Sequence, residues 1–283
     1  MTDTVATIED VTVSFGDLTV LSGASFAVDA GTVTCLIGPN GSGKTTLLRV
    51  VADLLAPDAG TVERSLSSAR PVGYLAQKPA LRPQFSVRET LRFYADLVGD
   101  DSDPDAAIER VGLAGVPDRS VDALSGGMTR LLGIAQATIG DPDLLVLDEP
   151  SSGLDPMMTR HITTVVSDLA ADGRGVLLAT HDLASVERVA DTVVVLDRGE
   201  VVATGTPAAL LAETGTDALD DALPALVDSE AGEVSTRDPA STTESDSDPN
   251  SDSDPESDAE SDADAEPAAP DGASDGANRG ESE

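Results

Sequence analysis

Positive charge is scarce in this chain. Its 283 residues carry 17 Lys and Arg against 52 Asp and Glu, a formal net charge of −35. An acid excess of this size argues against a nucleic-acid binder and against adhesion to anionic lipid headgroups, because both need a basic surface. Lysine is rarer still, with Lys44 and Lys78 the only two. Cysteine occurs once, at Cys35, so no intrachain disulfide is available. Cys35 lies in the apolar run Val33–Ile37, which reads as a small core residue. Long apolar stretches are also missing. No run approaches the roughly 20 residues that span a bilayer, and the amino terminus lacks a charged-then-apolar signal pattern. The expectation is a cytosolic chain that is not itself a membrane protein.

The acidity is unevenly spread. Residues 1–227 hold 33 acidic and 15 basic residues, net −18, and residues 228–283 hold 19 and 2, net −17. A globular part this acidic resembles proteins of salt-in halophiles, whose carboxylate surface stays hydrated when the Debye length shrinks to about 3 Å at 1 M salt. An acidic protein from a GC-rich genome is the alternative. After Val227, Ser, Asp, Glu, Pro and Ala dominate and Ser-Asp-x steps repeat through Ser245–Ala265. Such a segment cannot bury enough apolar surface to offset its ordering entropy. Residues 228–283 therefore read as a disordered, solvating acidic tail.

The first thirty residues read as short strands, Val5–Ile8, Val11–Phe15, Thr19–Leu21 and Ala24–Val28, separated by Gly and Asp turns. Val33–Ile37 is an unalternated apolar strand, the pattern of burial on both faces, and it runs into a Gly-rich loop and a helix from Lys44 to about Leu55. A strand at Val72–Leu75 follows. From Ser86 to Thr138 the pattern is helical, with Ser86-Val-Arg-Glu89 a capping box for a helix through Leu97. A second helix covers about Pro104–Val111, and a third starts at Ser125-Gly126-Gly127. Leu144–Leu147 and Val176–Ala179 are further buried strands bracketing a helix over Pro156–Ala170. Val193–Leu196 and Val201–Ala203 flank a hairpin turn. Strands alternating with helices predict a mostly parallel α/β core. An antiparallel β part precedes it, and a helical subdomain over about residues 84–140 is inserted within it. The globular domain spans residues 1–227.

Three segments carry chemistry. Gly38-Pro-Asn-Gly-Ser-Gly-Lys44-Thr45 fits the phosphate-binding loop G-x-x-x-x-G-K-[ST] at every fixed position, between a predicted strand and a predicted helix. Backbone amides from Gly41 to Thr45 would wrap a β-phosphate, Lys44 would bridge the β and γ oxygens, and the Thr45 hydroxyl would ligate Mg²⁺. The strand Leu144–Leu147 ends in Asp148 and Glu149. Asp148 suits the Mg²⁺ shell, and Glu149 is placed to polarise an attacking water as general base. The third is Leu124-Ser125-Gly126-Gly127-Met128, a second anion cradle opening a helix. One nucleotide rarely needs two cradles from one chain, so this one is read as serving an ATP held by another copy. Gln77, at the end of a strand and before the helical insert, is placed to reach the Mg²⁺ and water. His181 follows a strand where a γ-phosphate donor sits well. His161, in a helix, reads as a surface residue.

Together these residues make Thr4 to about Val227 resemble the nucleotide-binding subunit of an ABC transporter. The matching elements are the phosphate loop, Gln77, Leu124–Met128, Leu144–Pro150, Ser152-Gly-Leu-Asp155 and His181, in the family's order. The resemblance implies a head-to-tail dimer, a homodimer or a heterodimer with a paralogue, with two ATPs between the phosphate loop of one subunit and the Ser-Gly-Gly turn of the other. It implies that Phe15 stacks on adenine and that Asp155 contacts the partner near its phosphate loop. Gly38, Pro39, Asn40, Gly41, Ser42, Gly43, Lys44, Thr45 and Thr46 would hold ATP on one side, and Ser125, Gly126 and Gly127 on the other. Glu149, His181 and Gln77 would act in hydrolysis, with Thr45, Gln77 and Asp148 on Mg²⁺.

Two positions depart from the family pattern: Met128 stands where Gln is commonest, and Leu131 where an Arg usually follows. Methionine there is familiar in subfamilies that power small-permease exporters, including drug-efflux and copper-loading types. The implied function is an ATPase subunit bound at the inner face of the membrane through a separate integral permease. Export is favoured because no extra regulatory β-domain follows Val227, and because Thr214–Leu226 resembles the short terminal helix of export-type subunits, with Pro224 as a stop. A soluble ABC ATPase of iron–sulfur assembly is the alternative. A P-loop small-molecule kinase would leave the Ser-Gly-Gly turn unexplained.

Overall fold

The computed structural model describes residues 3–65, 68, 70–99 and 103–228; the tail expected beyond residue 228 lies outside them. Two sheets organise these residues. Strands β1 (Thr4–Phe15), β2 (Leu18–Asp29) and β4 (Ala59–Arg64) form an antiparallel sheet in the order β2-β1-β4. The larger sheet contains β3 (Val33–Ile37), β5 (Val72–Leu75), β6 (Leu144–Asp148), β7 (Gly175–Ala179), β8 (Thr192–Asp197) and β9 (Glu200–Gly205), ordered β5-β6-β7-β3-β8-β9. Its first five strands are parallel, and β9 closes the edge as an antiparallel hairpin with β8.

Every residue of β3, β6 and β7 is buried. That is the cause of their unbroken apolar sequences, since both faces of a parallel sheet are covered. The alternation shows in where side chains go. Val33, Cys35 and Ile37 enter the core under the helices α4 (Gly126–Thr138), α5 (Pro156–Ala171) and α6 (Leu183–Val189). Leu36 points the other way, into the core shared by α1 (Lys44–Val51) and the antiparallel sheet. Burial pushes the Cys35 thiol up to about 12, so it stays protonated and inert at neutral pH.

Between β5 and β6 the chain is helical: α2 (Val87–Val98), α3 (Pro104–Arg110), a 3₁₀ turn at Val121–Ala123, and α4. The capping box read from the sequence is present at Ser86. The Ser86 amide donates to Glu89 Oε2 at 2.8 Å, and the Glu89 amide donates back to Ser86 Oγ at 3.1 Å.

Several expectations are corrected. The four short amino-terminal strands are two strands of 12 residues each. Asp10, with φ near 50°, sits in a bulge of β1 instead of ending it, and its amide is held by Ser25 Oγ at 2.8 Å. The helix at Lys44 ends at Val51, four residues short of the expected Leu55. β4, α6 and α7 (Pro207–Thr214) were not legible as elements. Pro224 does not stop a helix: it lies inside α8 (Leu219–Asp228). His161 is exposed in α5 as expected, and its Nε2 sits 3.1 Å from the Val111 carbonyl oxygen.

Candidate functional site

The loop between β3 and α1 folds tightly because two of its glycines have no room for a side chain. A Cβ on Gly38 would lie 2.0 Å from the Leu196 carbonyl oxygen, and one on Gly43 would lie 2.9 Å from that of Val20. Both also have φ in the region that favours glycine, 147° and 105°. The loop therefore wraps on itself. Lys44 Nζ donates to the carbonyls of Gly38 at 2.7 Å and Pro39 at 3.0 Å. Burial lowers the Lys44 pKa, and the nearby carboxylates of Glu149 and Asp148 oppose that. The Ser42 hydroxyl is buried inside the loop with no hydrogen-bond partner among the described residues.

Across from the loop stands the end of β6. Asp148 is 2 % exposed, and Thr45 Oγ1 donates to its Oδ1 at 3.3 Å. Burial raises the Asp148 pKa, with the Thr45 hydrogen bond pulling it down. Glu149, also buried, takes a left-handed φ of 51° that strains a non-glycine residue by roughly 1–2 kcal/mol. Its amide donates to the Ala179 carbonyl at 2.9 Å. The side chain meets His181, whose Nδ1 is 2.7 Å from Glu149 Oε2. Strand β7 thus sets both partners, holding the Glu149 backbone and delivering His181 just past its end.

These groups border a cleft of about 330 Å³. Asn40, Gly41, Gly43, Lys44, Thr45 and Thr46 line one side, Gln77, Asp148 and Glu149 the other, and Val20 of β2 completes the rim. The paired oxygen donors Thr45 and Asp148, with Gln77 close by, are hard ligands of the kind Mg²⁺ takes. Among the described residues no cluster of three or more His, Cys, Asp or Glu forms a metal cage.

Other sequence-predicted residues lie outside the lining of this cleft. Gly38, Pro39 and Ser42 form the back of the loop. Phe15 is 55 % exposed at the end of β1, and the His181 side chain is exposed on the outer side of Glu149. Ser125 is the N-cap of α4, its Oγ accepting from the Met128 amide at 3.3 Å. Asp155 caps α5 by accepting from the amides of Met157 and Met158 at 3.0 Å. Gly127 is buried against Met158, whereas Gly126 is exposed, and a Cβ there would meet only Leu154 Cδ2 at 3.8 Å.

Sequence reasoning missed Arg130. One turn into α4, its guanidinium donates to the Gln77 carbonyl. Its charge lies near enough to Asp148 and Glu149 to feel both, although half-burial lowers its pKa. The available signal was a cation so close to the Ser-Gly-Gly turn in a chain where cations are rare. Leu131, where the family pattern has Arg, is 2 % exposed and packs in the core.

Comparison with known proteins agrees with the geometry. Residues 21–152 match the family model described as ABC transporter. The Nod factor export ATP-binding protein I of Burkholderia lata is 38% identical over 220 residues, 73% of this chain and 72% of that protein. The daunorubicin resistance ATP-binding protein DrrA3 of Streptomyces coeruleorubidus is 38% identical over 233 residues, 78% of this chain and 74% of that protein. A solved structure described as the ATP-binding subunit of an ABC transporter superposes with a TM-score of 0.69 at 27% identity, covering 78% of this chain and 99% of that one. The phosphate loop, the paired acids of β6 and these relatives lead to one conclusion: the chain belongs to the ATP-binding subunits of ABC transporters, which bind and hydrolyse ATP.

Proposed function

We propose that this subunit works as a head-to-tail dimer that closes on two MgATP and drives a separate membrane permease, in the direction of export. The observation that carries the shared site is Gly126. Its backbone is helical and its surroundings are open. Among the described residues nothing crowds this position, so none of them requires a glycine there. A close approach from outside the chain accounts for it: the phosphates of an ATP seated on the partner's loop, met by the Ser125 hydroxyl and the free amides of the first turn of α4.

In this reading the loop amides from Gly41 to Thr45 hold the β-phosphate, and Lys44 leaves its two carbonyls to bridge β and γ oxygens. Thr45, Asp148 and Gln77 would hold Mg²⁺, which when bound would supply neutralisation of phosphate charge. Glu149 orients and deprotonates the attacking water. His181, with Nδ1 2.7 Å from Glu149 Oε2, fixes that carboxylate and, from its exposed position, would serve as a donor to the γ-phosphate. Phe15 stacks on adenine from its exposed position, and Asp155 meets the partner's loop. Residues 1–227 form the nucleotide-binding domain, with a helical subdomain over about 84–140, and the Gln77-to-Val98 region passes the motion to the permease.

In this reading the subunit reaches the membrane through the permease; among the described residues no helix is long and apolar enough to cross a membrane. The two relatives named for Nod factor export and daunorubicin resistance support export and favour transport over the iron–sulfur alternative.

The test is Glu149→Gln with MgATP. Turnover falls at least about 100-fold, as expected for loss of a general base, and the variant elutes as a dimer that wild type and Lys44→Ala do not form. Full turnover in Glu149→Gln rules out the base assignment. A monomer in every variant rules out the shared site.

A further inference from the structure

Helix α4 is seated on β5 at two close approaches, each made at a glycine. A Cβ on Gly73 would lie 2.0 Å from the Ala137 carbonyl oxygen, and one on Gly133 would lie 2.6 Å from Leu75 Cδ1. Strand and helix therefore run past each other in step, Gly73 beside Ala137 and Leu75 beside Gly133. The third step is polar. Two residues beyond Leu75 the chain leaves the sheet at Gln77, and about one turn before Gly133 α4 presents Arg130, whose guanidinium donates to the Gln77 carbonyl. One turn further toward its start, α4 ends in Ser125 and the exposed Gly126.

From this alignment we infer that Arg130 is a positioning residue, the strut by which α4 fixes the Gln77 loop at its own ATP cleft while its first turn serves the neighbouring one. A guanidinium suits the place. It is planar, always charged and able to hold a carbonyl in a fixed direction, and its charge lies within electrostatic reach of Asp148 and Glu149. Gln77 lines the cleft beside those carboxylates, so pinning its carbonyl sets where its side chain enters. Any displacement of the Ser125–Gly127 turn is carried through Arg130 to Gln77 and the catalytic acids. One helix thereby links the two nucleotide positions. The inference rests on the shared-site reading above for its second half, and on the Gln77 bond alone for its first.

The experiment compares Arg130→Gln and Arg130→Lys with wild type in the full chain. It reads kcat and KM for MgATP, nucleotide affinity in a Glu149→Gln background, and the thermal midpoint. Loss of the strut lowers kcat of Arg130→Gln about tenfold or more, the scale of a misplaced catalytic group. KM, nucleotide affinity and thermal midpoint stay near wild type, and Arg130→Lys, which keeps a charged donor, recovers much of the rate. An unchanged kcat in Arg130→Gln overturns the inference. So does a kcat that falls only in step with the thermal midpoint or with nucleotide affinity. The Glu149→Gln control separates the two readings: if turnover survives there, the site assignment fails whatever Arg130 does.

Discussion

At the scale of single residues, the cleft is poised at an energetic cost. Asp148 is 2 % exposed and its carboxyl is raised by that burial, while the Thr45 hydroxyl only partly compensates. A carboxyl raised in the folded state adds stability below the ordinary carboxylate range, near pH 3.9. It loses that contribution as pH climbs through the raised value. At neutral pH the ionised Asp148 therefore weighs against the nucleotide-free fold. Asp148→Asn, neutral and nearly the same shape, raises the thermal midpoint at pH 7. The gain shrinks as pH falls through the raised value, where the wild-type carboxyl takes up its own proton. The same variant loses at least about 100-fold in turnover because an oxygen ligand carrying charge is gone. A pH series of melting curves without nucleotide checks it, and a lower midpoint at pH 7 contradicts the burial argument. The left-handed Glu149 beside it is a second strained position, and strain of this kind gathers where a reaction needs a fixed geometry.

At the scale of elements, the packing of α4 on β5 is the joint that positions the site, and it depends on Gly133. Gly133→Ala drives a Cβ to 2.6 Å from Leu75 Cδ1, a side chain only 1 % exposed, so Leu75 must shift. Overpacking of this sort costs about 1–3 kcal/mol, read as a lower denaturation midpoint with an unchanged urea slope. A midpoint equal to wild type would show that β5 and α4 separate freely. This joint was invisible in the sequence, because a glycine inside a helical run carries no local sign of what crosses it.

Elements built on local chemistry were legible. The capping box at Ser86, the all-apolar strands β3, β6 and β7, and the phosphate loop each declare themselves within a few residues. β4 was not, since its edge position leaves it mostly exposed and without an apolar run. The long β1 was split at Asp10 because a bulge and a turn use the same residue types. Among site residues, Lys44, Asp148 and Glu149 follow from motif spacing. Arg130 follows only from the third dimension, 53 positions from the carbonyl it holds.

At the scale of the whole molecule, the acid excess decides how the chain responds to salt. Residues 1–227 alone carry net −18 and the full chain −35. Arginines serve as hubs for the surplus of carboxylates. Arg88 meets both Asp105 at 2.8 Å and Asp118 at 2.7 Å, and Asp172 is shared by Arg110 and Arg174. Such surface pairs contribute about 0–1 kcal/mol each, too little to cancel repulsion among the carboxylates left over. Self-repulsion weighs against the compact state and weakens as the Debye length falls from about 10 Å at 0.1 M to about 3 Å at 1 M. The thermal midpoint therefore rises with KCl, and most of the rise comes between 0.1 and 1 M. Beyond that the screening length is already shorter than the spacing of surface charges, so the curve flattens. General salting-out would instead keep raising the midpoint in proportion to salt concentration up to several molar. Melting curves across 0.1–3 M KCl distinguish the two shapes. A midpoint that is flat throughout, or linear to the highest salt, would show that charge repulsion is not what limits this fold.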